Sequence, residues 1–294
     1  MRMRGGTVHI KDGLRLCRVP LTQALLTHTT GPAWHDNRKA ARTMFKRWWG
    51  IVWWGIIMVI ASAAQADDGQ ALVEKSFDYV RGRTSYAVVE MTIHRPVWER
   101  TVSLKVWTKG QEDSMFRIVE PPKDKGNGTL KKKREMWMFN TKVNRIIKLP
   151  PSMMSQAWMG SDFSNNDLAK TDSLITDYTH TIIGSETRDE QIVYIIRSEP
   201  KPGAPVVWGM QQLKIREDHI FLEQVFYDED LKPVKILTTE KIRILGGKLF
   251  PAVWKMRKSD TVNEYTVVKY TALEFDLDLP DDLFTLSALK TYGR

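Results

Sequence analysis

Apolar and polar residues alternate with a period of two through most of the chain, from Tyr86 to Phe275. This alternation gives a strand one face that can be buried and one that can face water. The runs that show it, separated by Pro, Gly, Asn or Asp, are 86–93, 101–108, 114–119, 134–139, 143–149, 177–183, 191–197, 207–217, 220–227, 234–244, 252–258 and 262–275. The pattern predicts about ten antiparallel strands joined by short turns.

A sheet of that size must curl or close to cover its edges and its apolar face, so we expect a barrel or a strongly curved sheet. The predicted fold is mainly β with a few short helices. One helix is expected over 70–81, ended by Gly82, and another over 279–289. The stretch 152–170 lacks the alternation and predicts a loop with one or two short helices, capped by Asp162 or Ser164.

Residues 44–66 have the organisation of a secretory signal peptide. Lys46 and Arg47 precede the apolar run 48–60, and Ala64-Gln65-Ala66 is a small-x-small cleavage site. An uncleaved inner-membrane anchor is the alternative, although the apolar run falls short of the roughly 20 residues that span a bilayer. Residues 1–43 are then a non-structural extension or a mis-assigned start, and 67–294 form one exported domain, located in the periplasm.

The charge of the chain lies mostly in its first 66 residues. The whole sequence carries a net +9, but residues 67–294 contain 34 Lys and Arg against 33 Asp and Glu. A nucleic-acid-binding role therefore loses its main support. The only cysteine is Cys17, so the exported domain depends on packing rather than on disulfides.

The exported part shows no recognisable catalytic constellation. His94, His180 and His219 are far apart and lack metal-binding spacing, and no G-x-S-x-G or phosphate-binding loop is present. We therefore expect no catalytic residue, no metal and no cofactor, and we look for a binding function.

Methionine and tryptophan concentrate around one break in the strand pattern. Met136-Trp-Met-Phe139 is followed by Met153, Met154, Trp158 and Met159. Flexible methionine side chains can line a pocket for ligands of variable shape. Ordinary core packing under a lid is the alternative interpretation.

A basic cluster lies just before this region, at Lys131, Lys132, Lys133 and Arg134. Such a run is typical of a solvated strand edge that discourages aggregation. A functional interpretation places it at a pocket mouth or docking surface, against lipid phosphates or an acidic partner.

Several motifs resemble those of outer-membrane lipoprotein-sorting proteins in the LolA/LolB-like superfamily. They are Met136–Phe139, Asn144–Pro150, Met159–Ser164 and Asp167-Leu168, with further similarity at 116–122 and 126–130. The resemblance implies a half-open, unclosed antiparallel β-barrel capped by a helical lid. It also implies a non-catalytic periplasmic carrier that moves the acyl chains of lipid or lipoprotein between membranes, from an inner-membrane exporter to an outer-membrane acceptor.

Carried onto this sequence, the resemblance assigns a set of lipid-binding residues: Phe116, Trp137, Phe139, Met153, Met154, Trp158, Met159 and Phe163. Gly160, Ser161 and Asp162 would fix the turn of the lid. The opposite strand phase would turn Met136 and Met138 inward instead of Trp137 and Phe139. The dedicated carrier also holds its lid with a buried arginine, for which Arg100, Arg117 and Arg145 are candidates. The alternative function is a lipid sensor or regulatory module that acts on a membrane partner.

Overall fold

The computed structural model describes residues 68–291. The predicted signal peptide at 44–66 and the segment 1–43 lie outside the described residues. None of the helices within 68–291 has both the length and the apolar character needed to cross a membrane.

The described chain opens with helix α1, residues 68–81. Val73 and Ser76, about one turn apart, are fully buried, so the helix packs one face against the sheet. It ends at Gly82, as predicted, where φ is +65° and a Cβ atom would come within 2.8 Å of the Phe275 ring. Both features favour glycine at this position.

Thirteen strands make up most of the described residues. They are β1 (Thr84–Arg95), β2 (Trp98–Lys109), β3 (Asp113–Glu120), β4 (Gly128–Lys132), β5 (Glu135–Asn140), β6 (Arg145–Lys148), β7 (Tyr178–Arg188), β8 (Gln191–Pro200), β9 (Met210–Arg216), β10 (Phe221–Tyr227), β11 (Pro233–Leu245), β12 (Lys248–Lys258) and β13 (Tyr265–Phe275). The alternating pattern is visible in the burial of β1, where every second residue from Ser85 to Ile93 is buried.

All thirteen strands belong to one antiparallel sheet with the order β6-β5-β4-β3-β2-β1-β13-β12-β11-β10-β9-β8-β7. Consecutive strands pair within β1–β6 and within β7–β13, so the chain forms two meanders. The pairing of β1 with β13 joins the two meanders into one sheet. The edge strands β6 and β7 do not pair with each other, so the sheet is not closed into a barrel. The predicted fold, an unclosed antiparallel sheet with short helices, is confirmed.

The sequence pattern does not predict strand β4, because the alternating runs stop at 119 and resume at 134, and residues 131–134 are interpreted as a basic edge. The strand has only five residues, and four consecutive ones, Gly128 to Lys131, are buried. A short strand covered on both faces shows no apolar–polar alternation, which is the signal that located the longer strands.

The segment between the two edge strands forms the lid. It contains 3-10 turns at Pro151–Met153 and Trp158–Gly160 and the short helices α2 (Asn165–Ala169) and α3 (Ser173–Thr176). Ser164 is the cap of α2: its hydroxyl accepts a hydrogen bond from the Asp167 amide at 3.2 Å, and the Asp167 carboxylate accepts one from the Ser164 amide at 2.7 Å. This reciprocal pair satisfies two amides that the helix leaves without partners.

The last elements of the described residues, a 3-10 turn at Asp281–Phe284 and helix α4 (Leu286–Thr291), lie on the other face of the sheet. Their apolar side chains are buried against residues of β2 to β5, and this outer core comprises Trp107, Met115, Leu130, Phe139, Leu283, Phe284, Ala288 and Leu289. Both faces of this part of the sheet are therefore covered.

Candidate functional site

The strand register separates an inner face of the sheet from an outer face. Phe116 pairs with Val106 on one side and with Thr129 on the other, so all three side chains share the inner face. Directly beside them, Met115 pairs with Leu130, which pairs with Trp137, and these side chains share the outer face. The lid covers the inner face, whereas α4 covers the outer face.

A cavity of about 370 Å³ lies between the inner face, α1 and the lid. Such a volume is within the range of small-molecule binding sites, about 300 to 1,000 Å³. Its walls are mainly apolar, and its largest lining side chains are aromatic: Phe116, Trp158, Phe163, Trp208, Phe226 and Trp254. Val207, which is 42% exposed, also lines it, so the cavity reaches the surface beside the loop 201–209.

Three of the predicted lipid-binding residues line this cavity: Phe116, Trp158 and Phe163. The Trp158 ring packs edge-on against Phe116 with 5.2 Å between ring centroids. Its indole N–H donates to the Thr129 hydroxyl at 3.2 Å, which fixes the orientation of a side chain that is only 5% exposed. The lid is thus packed into the sheet through an aromatic pair.

The three lid methionines lie beside the cavity but not on its wall. Met153, Met154 and Met159 pack against a core cluster that includes Met91 and Met136. These three side chains are therefore packed into the core under the lid, which is the alternative interpretation given above.

Trp137 and Phe139 do not face the cavity. The expectation that these two side chains point inward is therefore wrong, and the opposite phase of β5 is the one observed. Both belong to the outer core and pack with Phe284 and its neighbours, while Met136 and Met138 pack against the inner-face cluster. The C-terminal helix provides an apolar cover for the outer face of β5. Alternation alone does not distinguish two faces that are both buried.

The turn of the lid is held to the sheet by an ion pair. Arg95 at the end of β1 donates two hydrogen bonds of 3.1 Å to the carboxylate of Asp162, and the Thr266 hydroxyl donates a third at 2.6 Å. The Asp162 side chain is only 4% exposed. Next to it, the Ser161 hydroxyl donates to the Trp158 carbonyl, and Gly160 has a φ of +80°.

Arg95 makes the most extensive contacts to the lid turn, and it was not among the three arginines that the sequence suggested for this role. Arg100 does reach the lid, through the Met159 carbonyl at 3.3 Å, but it also pairs with Asp124. Arg117 instead donates to the Ala288 and Leu289 carbonyls of α4. Arg145 is exposed. Arg95 ends a strand in an ordinary hairpin, and nothing in the local sequence distinguishes it.

The basic cluster is divided by the structure. Lys131 is only 1% exposed and donates to the backbone carbonyls of Gln111 and Glu112, so it lies inside the molecule and not at a docking surface. Burial, and then the nearby Arg81 guanidinium, lower its pKa to about 8. Arg134 pairs with Asp177 at 2.8 Å, whereas Lys132 and Lys133 are exposed.

The three histidines occupy separate places. His180 is fully buried, with Nε2 2.8 Å from the Leu174 carbonyl and Nδ1 2.7 Å from the Ser198 hydroxyl. Burial is the main cause that lowers its pKa to about 4, so the ring is neutral near pH 7. His94 pairs with Glu99, and His219 packs edge-on to Tyr79. Within 68–291 no three His, Cys, Asp or Glu side chains are grouped as a metal site would require.

The fold is similar to three solved structures. A DUF1329 family protein from Desulfovibrio piger has a TM-score of 0.69 at 23% identity, covering 76% of this chain and 99% of that one. An outer membrane lipoprotein-sorting protein domain from Vibrio parahaemolyticus has a TM-score of 0.66 at 18% identity, covering 77% and 100%. A LolA superfamily protein from Nitrosomonas europaea has a TM-score of 0.62 at 24% identity, covering 75% and 98%.

No curated protein sequence matches the chain. The model of a protein family described as "-like: Uncharacterized protein" matches residues 110–291, which is more than half of the sequence. The predicted resemblance to lipoprotein-sorting proteins of the LolA/LolB-like superfamily is confirmed at the level of the fold. The protein belongs to the family whose model it matches.

Proposed function

We propose that this protein is a non-catalytic carrier that binds the acyl chains of a lipid or lipoprotein in its cavity and moves them between membranes. The observation that carries the proposal is the cavity itself. Its aromatic and aliphatic walls enclose a space that the side chains of the protein leave unfilled. An apolar ligand is the occupant that such walls favour.

Shielding from water is the energetic basis of such a carrier. Each methylene group exposed to water costs about 0.8 kcal/mol, so a sixteen-carbon chain would face roughly 12 kcal/mol. A cavity that covers most of that surface lowers this cost without ATP hydrolysis by the carrier. Release then requires an acceptor with a higher affinity, or a lid that opens on docking.

The cellular setting follows from the predicted signal peptide at 44–66, which would direct the domain to the periplasm. In that compartment the donor would be an inner-membrane exporter and the acceptor an outer-membrane protein. Carriers of the lipoprotein-sorting type share the fold described above, which supports this assignment.

The lid would control access to the cavity. It links the two edge strands of the unclosed sheet, and Trp158, Phe163 and Leu168 carry its cavity-facing surface. The Arg95–Asp162 pair fastens its turn to β1. A movement that breaks this pair would uncover the cavity.

Mass spectrometry of solvent extracts from protein purified out of its native periplasm tests the proposal. We expect about one lipid or lipoprotein acyl species per chain. Extracts without any such species, from protein that also takes up no acyl ligand in solution, would contradict it. An empty cavity together with a tightly bound membrane-protein partner would instead identify a lipid sensor.

Charged substitutions test the location of the site. Trp158→Asp and Trp208→Asp place a carboxylate in the cavity wall, and we expect each to weaken acyl-chain binding at least tenfold, because the carboxylate would be desolvated by the bound ligand. Ile244→Asp is the control, since Ile244 is 74% exposed and does not line the cavity. Equal losses in all three variants would refute the assignment of the site.

A further inference from the structure

Two cationic side chains line the cavity, Arg81 and Lys170, and the Lys170 ammonium donates to the Pro205 carbonyl at 2.7 Å. The carrier function alone does not require Arg81. Arg81, the last residue of α1, lines the cavity. Its guanidinium donates to the Gly110 carbonyl, to the Asp113 carbonyl at 3.1 Å and to the Ser114 hydroxyl at 2.8 Å. All three acceptors are neutral.

Three of the other half-buried arginines in residues 68–291 have a carboxylate partner, whereas the Arg243 guanidinium donates to the Tyr270 carbonyl. Arg95 pairs with Asp162, Arg100 with Asp124 and Arg216 with Asp218. No carboxylate oxygen of residues 68–291 lies within 4.0 Å of the Arg81 guanidinium. The charges of Asp172 and Asp113 act on it only from a greater distance, and Lys131 adds a second positive charge nearby.

This cation is held in a desolvated place. Burial lowers the pKa of Arg81 to about 10, so the guanidinium still carries its charge at neutral pH. A charge that is removed from water without a counter-ion is costly, and an anion supplied by a ligand would relieve that cost.

Hydroxyl groups surround the same end of the cavity. Ser85 and Thr108 are buried, line the cavity and share a hydrogen bond of 2.7 Å. Tyr270 lines it as well, and its hydroxyl makes no hydrogen bond to any residue in 68–291; its pKa is raised by burial and lowered in part by Arg81. Hydroxyl donors beside a guanidinium are the groups that bind a carboxylate or phosphate.

Resting on the proposed carrier function, we propose that the cargo is an anionic amphiphile whose carboxylate or phosphate pairs with Arg81 while its acyl chain lies along the aromatic walls. Tyr270 donates a further hydrogen bond to the same head group. The polar end then fixes the direction in which the ligand lies, because only one end of the amphiphile can neutralise the guanidinium.

Three ligands with the same ten-carbon chain test this: decanoate, decyl phosphate and decanol. Binding to the purified, delipidated protein is followed by tryptophan fluorescence. We expect at least one of the anions to bind about 10- to 100-fold more tightly than decanol, the range expected for a hydrogen bond to a charged group. The tighter of the two anions identifies the head group as a carboxylate or a phosphate.

Arg81→Gln should reduce this preference to within about threefold, whereas Arg81→Lys should retain part of it. Arg83→Gln is the matched control, because Arg83 is two residues away and its side chain is 88% exposed. Melting temperatures of each variant show whether the fold is retained. If Arg81→Gln does not fold, Arg81→Lys and the wild-type ranking of the three ligands decide the question.

The possible failures differ from one another. Wild-type protein that binds decanol as tightly as both anions would overturn the assignment of Arg81 but leave the carrier intact. If Arg81→Gln still binds the anions more tightly than decanol, the assignment of Arg81 is likewise overturned and the carrier function is unaffected. Protein that binds none of the three ligands would overturn both this inference and the proposed function.

Discussion

At His180, burial and two hydrogen bonds set the protonation state of a side chain that sequence alone leaves open. The Leu174 carbonyl can only accept, so Nε2 carries the proton and donates to it, and the Ser198 hydroxyl donates to Nδ1. A protonated ring would reverse the second of these bonds, because the Ser198 hydroxyl can also accept, and burial is the main cause that disfavours the charged ring. The neutral form is therefore part of the native packing between α3 and β7.

This arrangement predicts a specific dependence of stability on pH. The pKa of His180 falls from 6.5 in the unfolded chain to about 4 in the native state, so the unfolded state binds the extra proton first. The contribution of His180 to the free energy of unfolding is fully present above pH 6.5 and is lost as the pH falls to about 4. It changes no further at lower pH. The loss is about 3 kcal/mol.

Urea unfolding between pH 4 and 7.5 measures this effect as the difference between wild type and His180→Gln. The wild type should lose more unfolding free energy over this range than the variant. Identical slopes in wild type and His180→Gln would refute the assignment.

Residue identity was predicted best where a side chain acts through its own chemistry. Of the two predicted caps, Asp162 and Ser164, the structure uses Ser164, which lies three residues before the carboxylate of Asp167. The end of α1 at Gly82 was also predicted. Arg95, Arg81 and Lys131 were not singled out correctly. Their roles depend on which distant strand or turn lies against them, and local sequence does not contain that information.

At the level of elements, the lid is the part most directly open to test. Arg95 and Asp162 are largely buried, so removing one partner leaves the other charge desolvated. Arg95→Gln or Asp162→Asn should each lower the unfolding free energy by about 3 kcal/mol. The double variant should lose less than the sum of the two, because both changes remove one interaction.

Chemical denaturation of the two single variants and the double variant gives this coupling directly. Lys269→Gln serves as control: its pair with Glu90 is about half exposed, and we expect a change below about 1 kcal/mol. Additive losses in the double variant would show that Arg95 and Asp162 do not hold the lid together.

A second test at this level concerns the two faces of the strands. Phe139 is buried under α4 on the outer face, whereas Phe116 lines the cavity. Phe139→Ala should cost about 3 to 5 kcal/mol of stability, while folded protein keeps its affinity for acyl chains. Phe116→Ala should weaken that affinity. Calorimetric unfolding and ligand titration separate the effects, and a loss of affinity in Phe139→Ala would favour the other strand phase.

Long strands with one face open to solvent could be predicted from the sequence, whereas short strands buried on both faces could not. The long strands β1 and β2 were both found, and the predicted runs 86–93 and 101–108 cover eight of the twelve residues in each. Strand β4 and the phase of β5 were not, because both of their faces are buried and alternation then has no polar side.

At the scale of the whole molecule, the proposed carrier function depends on the sheet remaining open. The pairing of β1 with β13 joins two meanders, and the unpaired edges β6 and β7 leave a gap that the lid spans. The sequence predicted an unclosed antiparallel sheet through its resemblance to the sorting proteins. It did not locate the cavity, because the wall is assembled from α1, the lid, the loop 201–209 and nine strands spread over almost 200 residues.

The central claim is that this cavity holds an acyl chain, and quenching of tryptophan fluorescence by a brominated fatty acid tests it most directly. Trp158, Trp208 and Trp254 line the cavity, whereas Trp107 and Trp137 lie on the outer face. The account predicts saturable quenching by about one probe per chain that diminishes in Trp158→Phe, Trp208→Phe and Trp254→Phe but not in Trp107→Phe or Trp137→Phe. Quenching that does not saturate, or that is lost with the outer-face tryptophans instead, would contradict it.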